Sequence, residues 1–529
     1  MSADKKFCCR AAGFLVWLGF FTAISGYLSA QMLTRGPYLQ MGSHTNITIC
    51  WRTDVATDSR VRFGTNLASL SFTNDDAVVV SNHVVVLSQL LPDTKYYYAI
   101  GNTATQFAGA DVNHFFVTSP LPGAMKNTRV WVIGDAGTTT AGQISVRDAY
   151  ETFTGARHTD LWLMLGDNAY YSGLDAEYQT ALFDVYTNLF RKSVLWTTLG
   201  NHDTAGDTGF VDTYPYFEIF TLPKNGEAGG VASGTEHYYS FNYANIHFIC
   251  LDSMTGGRST NSAMYAWLTN DLASANATWI IAYWHHPPYT KGSHDSDFET
   301  ELIEMRQVFL PVLEQHGVDL VLAGHSHSYE RSHLLDHHYG DSLSFTNHMK
   351  LDAGGGQESG AGAYRKHLFN PRAHQGAVYA VVGSSGWTSG GQLNHPAMHA
   401  SLNQLGSLVL DINSNRLDAT FLRETGATND AFTIVKVNST TALRILSATL
   451  NSNGHCTINW VSVGGLRYRV SYRDGDPNGS FTDLVRPVGL ETDPAANRTA
   501  SVMSFTDDFT LTGGVPQNGA RYFRVRVVP

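Results

Sequence analysis

Five apolar runs in this chain end in the same way. Residues 130–133, 161–165, 194–199, 279–284 and 319–323 are almost uninterrupted hydrophobic stretches, each followed at once by a short polar block. Runs of this length without alternation predict strands buried on both faces of an α/β sheet. The blocks are Gly134-Asp135-Ala136-Gly137, Gly166-Asp167-Asn168-Ala169-Tyr170, Gly200-Asn201-His202-Asp203, His285-His286-Pro287-Pro288-Tyr289 and Gly324-His325-Ser326-His327. Ligands in open α/β sheets collect where strands end. The pattern therefore predicts that Asp135, Asp167, Tyr170, Asn201, His285, His325 and His327 meet at one rim.

Between these runs the apolar period changes to that of a helix. Residues 298–316 carry Leu302, Met305, Phe309, Leu310 and Leu313 on one face, and Gly317 stops the helix. Strand–helix alternation argues for α/β layers over 123–437. Residues 31–122 read differently, as short alternating strands at 47–51, 59–63, 83–87, 95–100 and 114–117 separated by turn residues. That pattern predicts a small antiparallel β-sandwich. Residues 438–529 return to β patterning at 457–460, 467–472, 503–506 and 521–528. The expected fold is multidomain: a central α/β sandwich flanked by an N-terminal β-sandwich and a small C-terminal β domain.

Residues 1–30 predict a secretory signal. Lys5, Lys6 and Arg10 make a positive start, 11–24 an apolar core, and Leu28-Ser29-Ala30 a cleavage site before Gln31. The apolar core is short of the ~20 residues a bilayer span needs, so no membrane span is expected after cleavage. The chain is expected to be secreted, periplasmic or held at the cell surface. Its net charge of −11, without clustered Lys or Arg, argues against a nucleic-acid partner. Cys50, Cys250 and Cys456 would remain after export; they lack C-x-x-C spacing, and Cys50 and Cys250 are expected to be buried free thiols. Asn-x-Ser/Thr sites stand at Asn46, Asn276, Asn438, Asn478 and Asn497.

The polar blocks supply carboxylates, imidazoles, an amide and a phenol. Two metal ions about 3.5–4 Å apart can clamp the attacking and leaving oxygens of a phosphoryl transfer, with one carboxylate bridging them. Asp135, Asp167, Tyr170 and His327 would serve one ion. Asp167, Asn201, His285 and His325 would serve the other, with Asp167 shared. Hard oxygen donors suit a trivalent ion and imidazoles a borderline divalent one.

These blocks resemble the calcineurin-like metallophosphoesterases and, within them, the purple acid phosphatases, whose motifs are GDxG, GDxxY, GNH(D/E), VxxH and GHxH. The fourth departs only in Ala282, where Val is usual, and Ser328-Tyr329-Glu330-Arg331 also fits. Ordinary members of the superfamily have D-x-H in the first block. Here Gly137 stands in that place, and Tyr170 offers a phenolate instead. The resemblance implies a central metallophosphoesterase α/β sandwich with an Fe(III) ion and a divalent zinc, manganese or iron ion. It implies an acid phosphatase that attacks small phosphate monoesters with a metal-bound hydroxide. His202 would contact a phosphate oxygen. His294 would protonate the leaving group, a role His286 could share or replace. Leu91-Pro92-Asp93-Thr94-Lys95-Tyr96-Tyr97-Tyr98 resembles a turn and strand of fibronectin type III modules, and larger family members carry such an N-terminal domain.

Two other functions are compatible with the pattern. One is a phosphodiesterase or nucleotide pyrophosphatase on the same fold, against which Gly137 and Tyr170 count. The other is a catalytically silent surface-binding protein, which would have no need of the full donor set. Less pointed expectations cover the remaining residues. Asp203 is expected to cap a turn. His333, His337 and His338, like 364–367, are expected in solvated loops, and Tyr289 and Tyr329 to pack near the pocket.

Overall fold

The computed structural model describes residues 31–368, 373–437, 445–463, 467–475, 480–484, 491–492, 500–516 and 519–528. The expected signal segment and the sites at Asn438, Asn478 and Asn497 lie outside them.

Two seven-stranded sheets form the centre. One is ordered Tyr364–His367, Thr428–Val437, Arg416–Arg423, Gly406–Asn413, Thr128–Ile133, Leu161–Met164 and Val194–Thr197. The other is ordered Tyr239–Tyr243, Ile246–Cys250, Trp279–Trp284, Leu320–Ala323, Val378–Val382, Tyr329–Ser332 and Met398–Leu402. All five apolar runs form strands. Thr128–Ile133, Leu161–Met164 and Val194–Thr197 are mutually parallel. Trp279–Trp284 and Leu320–Ala323 are parallel in the second sheet.

The runs do not alternate because both faces are covered. Trp279, Ile281 and Tyr283 share a core with Val130, Val132 and Leu163 of the first sheet. Ile280, Ala282 and Trp284 face the other way, packing with Trp267 and Leu268 of the helix Ala263–Ser274 and with Leu313. The side-chain period of two thus distributes one apolar run between two cores. The expected helix over 298–316 forms in three pieces: Thr300–Glu304, a π-helical turn Met305–Phe309, and Leu310–Gln315. Pro311 has no N–H for the preceding turn, and the wider turn accommodates it.

The N-terminal region forms a six-stranded sheet, with longer strands than expected. The two short strands at 47–51 and 59–63 are parts of one 18-residue strand, Ile47–Gly64. It pairs with Leu33–Gln40 through its first half and with Lys95–Gly101 through its second, and along its length with Phe72–Leu87, against which the register shifts between Arg52 and Ser59. Residues 53–58 absorb a bend that their polarity made look like a turn. This sheet is tied to the centre by Arg35 and Arg52, which both pair with Asp175, and by Tyr38 Oη, which donates to the Ile219 carbonyl at 2.9 Å.

Towards the C-terminus, Ile445–Leu450, Cys456–Val463 and Ala500–Asp507 form one sheet, and Arg467–Asp474 and Arg521–Val528 belong to another. Ile458, Trp460, Val470 and Phe505 make a small apolar cluster apart from the central cores. Cys50 and Cys250 are buried free thiols, each pushed up to about 12 by burial. No helix among the described residues is long and apolar enough to cross a membrane.

Candidate metal centre

Each polar block follows its strand directly, and three of the turns are unusual. Asp135, Asp167 and His325 have φ values of 53°, 51° and 66°. Non-glycine residues seldom adopt this left-handed conformation, and those that do cluster at functional sites. The glycines beside them allow close approach. A Cβ at Gly166 would lie 2.6 Å from His285 Nδ1, and one at Gly137 would collide with the Asn168 carbonyl. Position 137 therefore has no room for an imidazole.

All seven expected residues converge. Tyr170 Oη lies 2.9 Å from Asp167 Oδ2, 3.3 Å from Asp135 Oδ1 and 3.2 Å from His327 Nε2. His327 Nε2 lies 3.5 Å from Asp135 Oδ1. On the other side of Asp167, His285 Nε2 is 3.5 Å from its Oδ1 and 3.1 Å from Asn201 Oδ1. His325 Nδ1 is 3.0 Å from Asn201 Oδ1 and 3.2 Å from His285 Nε2. Asp167 therefore stands between two groups of donors.

The chemistry of these donors fits cations. Asp135 and Asp167 are buried, and among the described residues their ion-pair partners are imidazoles, with no Lys or Arg. His285 Nδ1 faces the Leu165 carbonyl at 2.8 Å, so it carries the proton and Nε2 presents a lone pair. That lone pair meets Asn201 Oδ1 and Asp167 Oδ1, both acceptors, an arrangement that a cation satisfies. Burial drives His325 down to about 3 and His327 to about 4, which keeps both imidazoles neutral. Burial, reinforced by Asp135 and Asp167, holds the Tyr170 phenol well above its ordinary value. A strong cation is required to draw off that proton.

His202 and His294 lie at the edge of the cluster. The backbone N–H of His202 donates to Asp167 Oδ1 at 2.8 Å, its Nδ1 lies 2.8 Å from the Tyr171 carbonyl, and its ring packs 4.3 Å from that of Tyr170. The His294 ring sits 3.7 Å from that of His325, and its Nδ1 is 2.9 Å from Glu299 Oε2. His286 is buried, with Nδ1 held by Ser253 Oγ at 2.9 Å. Burial, with His325 and His285 beside it, pushes His286 well below the ordinary range.

Several participants escape a reading of motifs. Asp203 is no simple turn cap. Its carboxylate accepts the N–H groups of Asn168 and Gly200, the Asn168 amide and the Tyr178 hydroxyl, tying two of the blocks together. Burial, with Asp167 close by, raises it to about 7. Glu299 joins His294 to His325 Nε2, 3.3 Å away. Trp387 Nε1 donates to His327 Nε2 at 3.2 Å. Glu299 and Trp387 stand in no recognisable block. Of the residues given the plainer expectations, His333 and His338 are buried and only His337 is exposed. Tyr364–His367 is a strand, and its Lys366 is buried against Asp319.

Residues 128–329 match the calcineurin-like phosphoesterase family, and residues 35–118 match the N-terminal domain of purple acid phosphatases. "Purple acid phosphatase 1" of Ipomoea batatas is 30% identical over 344 residues, covering 59% of this chain and 66% of that protein. "Purple acid phosphatase 23" of Arabidopsis thaliana is 28% identical over 281 residues, covering 48% and 58%. The chain thus spans less than two thirds of the length of these curated relatives. The purple acid phosphatase PPD1 from yellow lupin (Lupinus luteus) seeds has the same fold, with a TM-score of 0.58 at 17% identity over 76% of this chain and 74% of that one. The chain thus carries a calcineurin-like phosphoesterase domain, which holds the converging donors, preceded by a domain of the purple acid phosphatase N-terminal type, and its similar relatives are purple acid phosphatases.

Proposed function

We propose that this protein is an exported acid phosphatase that hydrolyses small phosphate monoesters with a binuclear Fe(III)–M(II) centre, M being zinc, manganese or iron. The observation that carries the reading is the pairing of Gly137, where an imidazole has no room, with Tyr170, whose oxygen reaches Asp135, Asp167 and His327. Asp135, Asp167, Tyr170 and His327 would hold the ferric ion. Asp167, Asn201, His285 and His325 would hold the divalent one. When bound, such a pair acidifies water and offsets the charge of the phosphate.

The chain's own residues then bind, orient and transfer protons. His202 is fixed through Nδ1 and directs Nε2 to a phosphate oxygen. His294, oriented by Glu299, gives a proton to the departing oxygen, a contribution of about 10²–10⁴-fold. Domain boundaries at 31–122, 123–437 and 438–529, with a signal over 1–30 and a C-terminal β module, complete the reading.

The choice of monoester over diester is tested by comparing hydrolysis of p-nitrophenyl phosphate and its bis ester by the iron-loaded protein. Faster turnover of the monoester is expected. A large preference for the diester would favour a phosphodiesterase instead.

A further inference from the structure

A second set of potential ligands lies at the opposite ends of the strands. Leu320–Ala323 and Val378–Val382 run parallel and deliver His325 from the carboxyl end of the first. At their amino ends, the helix Leu310–Gln315 supplies Glu314, the turn after Leu334–Leu335 supplies Asp336 and His337, and the turn before Val378 supplies His374. One ligand atom from each of these four residues lies within 4.8 Å of the others.

The composition and burial of this cluster suit a cation. Glu314 and Asp336 are 2% and 4% exposed, and among the described residues neither has a Lys or Arg partner. His374 Nε2 lies 2.9 Å from Gln315 Oε1. Its Nδ1 lies 3.0 Å from Asp336 Oδ1. His337 Nδ1 lies 2.7 Å from the other oxygen of the same carboxylate. Glu314 accepts the hydroxyls of Tyr339 and Tyr379, one at each oxygen, and the backbone N–H of His337, donors of the kind that hold metal-bound carboxylates in place. The His337 side chain is 43% exposed, which gives an ion a way in.

We propose that Glu314, Asp336, His337 and His374 bind a divalent ion of the zinc class, separate from the phosphoesterase centre. Two imidazoles and two carboxylates suit such a borderline ion. Bound there, it joins a helix end, a turn and the start of a central strand, so its role is to hold these segments together.

The test counts zinc. Chelator-stripped wild type and H337N/H374N are each incubated with Zn²⁺, freed of unbound ion by gel filtration and analysed for metal per chain. Asn is chosen because it tolerates the φ values of 64° and 55° at these positions. Wild type should retain one ion more than the double variant, and zinc should raise its melting temperature further. Equal zinc content in the two folded proteins would overturn the proposal. Should the double variant fail to fold, H337N alone, altering an exposed side chain, should lose the same ion; full retention there would overturn it equally. D167N separates the two sites, because it changes metal content only through the phosphoesterase centre.

Discussion

Gly137 and Tyr170 act together, and the Tyr170 backbone N–H donates to the Gly137 carbonyl at 2.9 Å. The glycine keeps a side chain away from the Asn168 carbonyl, and the tyrosine brings an oxygen to Asp135, Asp167 and His327. Tyr170→Phe should therefore abolish the visible charge-transfer band of the iron-loaded protein while keeping some hydrolysis. Absorption spectra of the two proteins check this, and a surviving band would remove Tyr170 from the ferric ion. Asp203 illustrates a different role. Asp203→Asn leaves an amide among four donors, and the loss of one buried acceptor oxygen should cost about 1–3 kcal/mol in urea unfolding. The convergence of the seven residues was legible because each stands in a block that follows an apolar run. Asp203 was visible as a residue but not as a tie between loops, since its partners meet it only after two strands pair. Glu299 gave no signal, because its neighbours His294 and His325 reach it through a loop without periodicity.

Among the elements, the short helix Asp175–Tyr178 links the N-terminal sheet to the loop that carries Tyr170. Its Glu177 accepts the backbone N–H groups of Tyr171, Ser172 and Leu174. Its Asp175 receives Arg35, which is 3% exposed, and Arg52. Asp175→Ala should cost no more than about 1.5–3 kcal/mol, since the carboxylate is partly solvated and Arg35 keeps Gln179 Oε1 at 2.9 Å. Urea unfolding measures the loss, and a parallel decrease in phosphatase activity would show that the sheet braces the site. This contact was not legible in sequence. Arg35, Arg52 and Asp175 are ordinary charged residues until two regions far apart in the chain are brought together. The central strands, by contrast, were legible because burial on both faces leaves uninterrupted apolar runs. The N-terminal strands were legible in position but not in length, because a long bent strand places polar residues at its bend.

For the whole molecule, histidines held below their ordinary range set a limit in acid. Burial lowers His158, His333 and His338 to about 4, and His395 to about 3. Below the ordinary histidine value near 6.5 the unfolded chain takes up protons that the folded one refuses. Their contribution is complete above that pH and is lost as the pH falls towards 4, each unit of difference being worth about 1.4 kcal/mol. Thermal unfolding of the metal-free protein between pH 7 and pH 4 should show a falling melting temperature. A flat profile would mean that these rings take up protons as readily in the folded state as in the unfolded one.

The central claim is that Asp167 is shared by two ions. Its most direct test is metal analysis of iron- and zinc-loaded protein against D167N, both in the H337N/H374N background so that the second cluster does not contribute. Two ions per chain in the parent, both lost in D167N together with the visible band and with hydrolysis of p-nitrophenyl phosphate, is the result predicted. Undiminished metal content in D167N would contradict the shared carboxylate and the proposed centre with it.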